Sequence, residues 1–308
     1  AAGLRRWKKR FATHDAPIGA RLREAGAIIL GKTVTTQFAC FDPPATRNPW
    51  DATRTPGGSS SGSAVAVATG MCAAALGTQT GGSITRPASY CGVCGLKPTY
   101  GALPMAGIVP VSGTLDHVGP IARGVDDLSL ILHALRDGNE SKDDRATSAA
   151  IASLQRFDSG LIDTCDRTMQ EAFDAWCGRQ TSRGVDVTIA DWSPPWDAIR
   201  TAHRTIMVAE AAQHHHHLLA EHSDDLLPGF TSLLREGQAV TACDYQAAVA
   251  LRQEVINEWN ARMPRNAVWI MPAKTGAPCA MRRGVFSDCR RCRCRSGYRP
   301  TACRLRCS

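Results

Sequence analysis

Apolar side chains recur at helical spacing in several stretches of this chain. Leu128, Ile131, Leu132 and Leu135 stand at i, i+3, i+4 and i+7 behind Asp126 and Asp127, which predicts an amphipathic helix with acids in its first turn. Met169, Ala172, Phe173 and Trp176 repeat the pattern. Residues 196–222 and 245–259 also read as helical, the second with Ala248, Leu251, Val255 and Trp259 on one face. Val185, Val187 and Ile189 alternate with polar neighbours, as in a half-buried strand, and residues 268–271 read as another short strand. Near the start, Asp15 reads as an N-cap, Pro17 as a first-turn residue and Gly26 as the stop of a helix through Ala25. Ala27-Ile28-Ile29-Leu30 then predicts a short buried strand, and the prolines and polar residues of 41–56 an ordered loop. Strands and helices interleave with no internal repeat, so the expected class is α/β.

Between Gly57 and Thr99 the pattern changes. Two clusters rich in glycine and serine, at 57–63 and 81–83, flank an Ala/Val-rich stretch that reads as a buried helix followed by a short strand. Residues 73–77 would carry the chain to a turn at Gly81-Gly82-Ser83, and Arg86-Pro87-Ala88 would open the next helix. Glycine permits positive φ and close backbone approach, and serine supplies a compact hydroxyl. Two hydroxyls and a set of free backbone N–H groups converging on one place are what acyl transfer needs.

Bulk composition narrows the class. A chain of 308 residues that is 44% hydrophobic can bury a sizeable core. No apolar run reaches the roughly 18 residues of a membrane span, and the basic stretch at residues 1–11 is followed by no apolar signal-peptide core. The net charge of +8 is carried by the last thirty residues, where nine arginines face one acid, Asp288. Residues 1–278 are therefore neutral overall. Six of the 13 cysteines, Cys279, Cys289, Cys292, Cys294, Cys303 and Cys307, lie in the same tail. The other seven are scattered, as in a reduced cytoplasmic protein.

Several stretches carry candidate chemistry. Gly81-Gly82-Ser83 reads either as a nucleophile turn whose N–H groups from Thr80 to Ser83 face a developing oxyanion, or as a glycine-rich turn capped by serine. Gly58-Ser59-Ser60-Ser61-Gly62 matches the nucleophile-elbow pattern, but residues 51–56 make a poor incoming strand. That cluster is better read as capping the following helix. Residues 26–33 match the phosphate-loop pattern, yet the four middle residues are strand-like rather than loop-like. His214 to His217 would point in all directions around a helix, and Cys289-x-x-Cys292 has zinc-ligand spacing with no second pair. Neither predicts a metal site.

From Asp15 to about Ala134 the chain resembles the amidase signature family. The likeness is carried by residues 22–27 (Leu-Arg-Glu-Ala-Gly-Ala), Gly31-Lys32-Thr33, Asn48-Pro49-Trp50, Gly57-Gly58-Ser59-Ser60, Gly81-Gly82-Ser83, Gly95-Leu96-Lys97-Pro98-Thr99 and Leu115-Asp116-His117-Val118-Gly119-Pro120, and continues more weakly from Glu210 to Ala273. The resemblance implies a mixed β-sheet core surrounded by helices. It also implies amide hydrolysis through a Ser–cis-Ser–Lys triad. Ser83 falls at the nucleophile, Ser59 at the bridging serine after a cis Gly58–Ser59 peptide, and Thr80, Gly81, Gly82 and Ser83 at the oxyanion hole. The expected partner is a small amide. The family reading calls for no cofactor, metal, membrane or nucleic acid, and it admits a homodimer.

Three departures shape the expectation. The family's catalytic lysine lies well upstream of the Asp15 helix. Lys8, Lys9 and Lys32 do not align with it. The family's usual aspartate before Thr-Gly-Gly-Ser is Gln79 here, and Arg86 follows Ser83 by three residues, as in the malonamidase-like branch. Arg86 then reads either as a bidentate partner for a substrate carboxylate or as a structural anchor of the loop. Finally, residues 279–308 form an Arg/Cys-rich series outside the expected fold. The reading is a truncated amidase-signature domain over 1–278, with 1–14 set apart and an altered reading frame near residue 279, and with impaired turnover for want of the lysine. Two rivals are a non-catalytic binding or assembly protein on the same scaffold and, more remotely, a phosphate-loop nucleotide-binding protein.

Overall fold

The computed structural model describes residues 2–9, 11–136, 153–157, 160, 162–262 and 267–273. The tail, with its Cys289-x-x-Cys292 spacing, lies outside them. In chain order the elements are α1 (Pro17–Glu24), α2 (Ser61–Ala68), β1 (Ala74–Gln79), α3 (Thr85–Cys91), β2 (Cys94–Gly95), β3 (His117–Ala122), α4 (Val125–Leu135), β4 (Ser153–Arg156), α5 (Arg167–Thr181), β5 (Asp186–Ile189), α6 (Trp196–His215), α7 (Leu218–Glu221), α8 (Pro228–Gln238), α9 (Ala242–Arg262) and β6 (Ala267–Ile270). Short 3-10 turns stand at Arg5–Lys9, Gln37–Ala39 and Ser223–Asp225. Contacts divide the chain into two compact units. One is built within Ala1–Asp137 and Met207–Val240, the other within Gly138–Ile206 and Thr241–Ala277.

The first unit is organised by an antiparallel sheet of order β1-β3-β2. Its register runs from Ala74 opposite Ala122 to Gln79 opposite His117, with Gly95 opposite Ile121 on the far side of β3. Alternate strand residues face opposite ways. Ala75 and Ile121 join Ala64, Val67, Ile84, Ala88 and Cys91 under α2 and α3. Leu76 and Val118 join Ile18, Leu103 and Leu135 under α1 and α4. The sheet is covered on both faces, and each Val or Ile fully buried in this way contributes about 1.5–3 kcal/mol.

A second core of the same unit gathers Leu4, Phe38, Val111, Val208, Phe230 and Leu234. Phe38 and Phe230 stack with centroids 4.4 Å apart, and the His215 ring lies 5.0 Å from Phe38 and 5.8 Å from Phe230. The first residues are part of this core. Leu4 is buried, Phe38 N donates to Ala2 O (2.8 Å), and Arg6 N donates to Asp225 Oδ2 (3.0 Å).

The second unit carries a parallel sheet of order β5-β4-β6. The Asp166 side chain caps α5 by accepting from Met169 N (2.8 Å). Phe173 and Cys177 of α5 pack against Ile162 and Ile270. Phe157, Trp259 and Trp269 form an aromatic cluster in which Trp269 Nε1 donates to Gln155 Oε1 (2.7 Å). The α/β class and the mixed strand orientation expected from the sequence are both present.

Several local expectations are corrected. Asp15 does not cap α1; Ala16 is the N-cap and the Asp15 carboxylate pairs with Arg23 Nε at 2.9 Å. Gly26 does end the helix, at φ +83°, with Gly26 N donating to Arg23 O and Ala27 N to Leu22 O, the Schellman arrangement. Ala27-Ile28-Ile29-Leu30 is not a buried strand. Among the described residues no strand pairs with it, and Ile28 and Leu30 are 87% and 73% exposed. Apolar content alone does not make a strand, because its backbone groups need a partner edge. Residues 26–33 are not a phosphate loop either. After the turn at Gly26 they carry no regular secondary structure and no helix opens after Lys32, and Thr33 Oγ1 is bonded to Ser63 Oγ (2.7 Å). The helix expected over 196–222 is broken after His215, α7 following as a separate turn. The cluster at 57–63 caps nothing through a hydroxyl. Ser60 stands at the N-cap of α2 without a side-chain capping bond.

His215 is the buried member of the histidine run, and its Nε2 lies 2.7 Å from Pro110 O. A carbonyl only accepts, so Nε2 carries the proton. Burial, with a smaller push from His214 and His217, holds this imidazole below its ordinary value, opposed by the Pro110 bond and Asp116. A depressed folded value means that the stability is present above about pH 6.5 and is lost as the pH falls through the folded value. The melting temperature is therefore expected to drop between pH 7.5 and pH 5, and to drop less steeply in His215→Gln. Equal slopes in calorimetry would contradict this role.

Candidate active site

β1 ends at Gln79 and leads into the turn at 80–83, and α3 leaves it at Thr85. Gln79 holds the exit of that turn. Its buried Oε1 accepts from Ile84 N (2.8 Å), Thr85 N (3.0 Å) and Thr85 Oγ1 (3.3 Å). The job needs only an acceptor, so a carboxamide serves where the family usually has a carboxylate. The entry of the turn is held from the other side. Thr80 Oγ1 donates to Asp116 Oδ1, and Asp116 Oδ2 accepts from Val111 N (2.7 Å) and Ser112 N (3.0 Å). Behind these, buried Glu210 accepts from Ser112 Oγ (2.6 Å), Thr114 N (3.0 Å) and Thr114 Oγ1 (2.7 Å).

The first Gly/Ser cluster is tied to the second by backbone bonds. The Gly58–Ser59 peptide is cis. Ser60 N donates to Ser83 O (3.2 Å), and Arg86 Nε donates to Gly58 O (3.1 Å). Ser60 Oγ bridges to β1, accepting from Thr78 N (3.1 Å) and donating to Thr78 O (3.2 Å). Gly57 has φ +77°, and a Cβ there would lie 2.9 Å from Pro87 Cα. Only glycine lets this segment lie so close against α3. The approach to the cluster is a turn in which Asn48 N bonds Arg54 O. It lacks the incoming strand that a nucleophile elbow requires.

Ser59 is 3% exposed and Ser83 8% exposed. The Ser59 carbonyl accepts from Ser61 N (2.8 Å), Thr35 Oγ1 (3.0 Å) and Thr36 N (3.3 Å), yet its buried Oγ has no partner among the described residues. Among the described residues, the N–H groups of Gly81, Gly82 and Ser83 have no hydrogen-bond partner. The two serine hydroxyls are not bonded to each other. Leaving a buried donor unpaired costs about 1–3 kcal/mol, so such groups concentrate where a ligand will satisfy them.

The charges around the site are few. Arg86 is half-buried, its guanidinium beside Gly82, and no carboxylate of the described residues pairs with it. Burial draws it below its ordinary value, and Tyr90 opposes the shift. Burial pushes the Cys91 thiol up to about 12, so it stays protonated and is no rival nucleophile. Lys8 and Lys9 sit exposed on the first 3-10 turn. Among the described residues no cluster of His, Cys, Asp or Glu could hold a metal ion.

The family model for Amidase matches residues 1–284. The chain belongs to the amidase family. Over 158 residues it is 47% identical to a glutamyl-tRNA(Gln) amidotransferase subunit from Syntrophobacter fumaroxidans, a match covering 48% of this chain and 32% of that protein. The chain thus spans about a third of the length of the curated relatives it matches. Among solved structures, the native peptide amidase of Stenotrophomonas maltophilia superposes with a TM-score of 0.71 at 27% identity, covering 90% of this chain and 68% of that one. A vestigial protein complex bearing on the origins of an s-triazine catabolic enzyme gives a TM-score of 0.81 at 29% identity, covering 91% and 64%. As an amidase-family fold, the mixed α/β architecture is the one expected.

Sequence reasoning quoted Asp116, Lys97, His117 and Glu210 only as parts of matching stretches and gave them no work. The signal was a polar residue inside an otherwise apolar stretch, which becomes informative only once its partner is known. Gln79 offers a direct check of the turn. Gln79→Leu leaves two backbone N–H groups without an acceptor and is expected to cost about 1–3 kcal/mol in urea unfolding. Gln79→Glu keeps the acceptor and is expected to cost less. Equal losses would show that the carboxamide is only filling space.

Proposed function

We propose that this chain carries the acylating centre of an amidase that hydrolyses a carboxylic amide through a serine acyl-enzyme. The observation that carries the reading is the set of unpartnered N–H groups on Gly81, Gly82 and Ser83 beside the cis Gly58–Ser59 peptide. In this reading Ser83 Oγ attacks the amide carbon and passes its proton by way of Ser59 Oγ to a base. The carbonyl oxygen becomes an oxyanion in the cradle of residues 80–83, where a single donor is worth about 3 kcal/mol. The amine leaves with the proton, and water then releases the acyl group. The family's base is a lysine held neutral by its surroundings. Among the described residues no lysine is bonded to Ser59 or Ser83, so acylation rather than amide turnover is the step to assay.

Arg86 fits both of its expected roles together. Its Nε anchors Gly58 O, which leaves the terminal nitrogens beside Gly82 for a substrate carboxylate. The substrate class proposed is therefore a small amide that also bears a carboxylate. The reading calls for no cofactor. A cytoplasmic setting is supported by the seven cysteines of the described residues, none of which is joined in a disulfide. Among the described residues no helix is long and apolar enough to cross a membrane.

A second reading keeps the acyl-enzyme and changes the fate of the nitrogen. The relatives at 43–49% identity are named as amidotransferase subunits, which supports transfer of the released nitrogen to an acceptor instead of its loss to water. Both readings require an acylated serine, and a purely structural scaffold does not. A fluorophosphonate followed by peptide mass spectrometry is expected to modify Ser83, and Ser83→Ala is expected to abolish the label. Ser59→Ala should slow labelling by about 10²-fold or more, the lower range for a lost proton-transfer group. Labelling that is absent, or unchanged in Ser83→Ala, would leave the scaffold reading standing.

A further inference from the structure

Two stretches that the mechanism leaves unused, 95–99 and 115–120, meet in the fold at Lys97 and His117. Lys97 Nζ donates to Pro98 O at 3.0 Å and lies 3.2 Å from His117 Nε2. His117 Nδ1 lies 2.7 Å from Leu115 O. Since a carbonyl only accepts, Nδ1 carries the proton and Nε2 offers its lone pair to the lysine. The arrangement selects the neutral imidazole.

The pair stands at the base of the Ser83 turn. His117 is directly opposite Gln79 in the β1–β3 register, and residues so opposed share one face of a sheet. Gln79 holds the exit of the turn through Ile84 N and Thr85 N. The neighbour of His117, Asp116, holds its entry through the Thr80 hydroxyl. Whatever fixes residues 115–117 therefore fixes both ends of the loop.

We propose that Lys97 is a positioning residue which, through the neutral His117 imidazole, holds Asp116 on Thr80 and so keeps the 80–83 loop in its acylation-ready form. This rests on the reading of that loop as the oxyanion cradle. Protonation of His117 would turn Nε2 from an acceptor for Lys97 into a donor facing the ammonium, free to turn to the Gln79 carbonyl instead. The two groups would part, and the displacement would fall on residues 115–117. The charged and polar groups facing the ring are Lys97, the adjoining Asp116, the edge-on Tyr100 ring at 5.5 Å, and the carbonyls of Leu115 and Gln79. Burial first, and then the Lys97 charge, hold His117 below its ordinary value, so the neutral pair persists to pH values below the usual imidazole midpoint. Burial also draws Lys97 below its ordinary value.

The test is the pH profile of Ser83 modification by a fluorophosphonate, read by mass spectrometry, alongside a ¹⁵N titration of His117 assigned with His117→Gln. Wild-type labelling is expected to fall by about tenfold per pH unit below the His117 midpoint, the slope of one proton. Lys97→Met removes the cation, so both the His117 midpoint and the acid limb of labelling should move to higher pH. Lys97→Arg should restore the wild-type profile, and His117→Gln should lose the acid limb. A limb unmoved in Lys97→Met and His117→Gln, with native melting curves, would overturn the positioning role while leaving Ser83 as the nucleophile. Wild-type protein that is never labelled at Ser83 would instead overturn the reading of the site, and the proposal with it.

Discussion

One short set of bonds, centred on Ser60, holds the two halves of the site together. Its amide donates to the Ser83 carbonyl, and its hydroxyl bridges the N–H and carbonyl of Thr78. Through Ser60 the cis Gly58–Ser59 peptide is fixed to the end of β1 and to the turn that follows it. The rest of the first unit supports that junction. α2 and α3 cover the sheet face from which it projects, and Gly57 is pressed against Pro87 where no side chain would fit. If the junction came apart, the fold would keep its cores and lose the convergence of Ser59 with Ser83.

The distribution of satisfied and unsatisfied polar groups follows from this. Asp116, Gln79 and Glu210 are buried, and each has its oxygens taken up by hydroxyls or backbone N–H groups. The Ser59 hydroxyl and the N–H groups of Gly81, Gly82 and Ser83 lack partners among the described residues, at the point where those supports converge. In the proposed reading this rigid, hydrogen-bonded surround is preorganised, its unpaired donors needing no rearrangement when charge develops. Arg86 adds a cation that no described carboxylate pairs, positioned by its own bond to Gly58.

How much of this was legible depended on whether the information was local. The helices α4 and α5 were readable because a period of 3.6 residues records a buried face directly in sequence order, as Leu128, Leu135 and Phe173 show. That the two Gly/Ser segments lie together was readable because the glycines and serines needed for close approach are themselves the motif. The stretch Ala27 to Leu30 misled because strand formation depends on an edge elsewhere, and apolar content says nothing about whether one is there. Lys97 and His117 were invisible for a similar reason. Their contact joins two stretches twenty positions apart, and neither residue announces a partner on its own. His215 was distinguishable from its three neighbours only by what surrounds it, the rings of Phe38 and Phe230.

The chain belongs to the amidase family, and the proposed place of its acyl chemistry is the turn at 80–83. The most direct measurement is a crystal structure of the chain after reaction with a small phosphonate. The expected result is a phosphoryl group on Ser83 Oγ with its oxygen about 2.7–3.1 Å from the N–H groups of Gly82 and Ser83, and with Ser59 Oγ against Ser83 Oγ. An adduct on another serine, or a phosphoryl oxygen turned to solvent and away from those donors, would contradict the account.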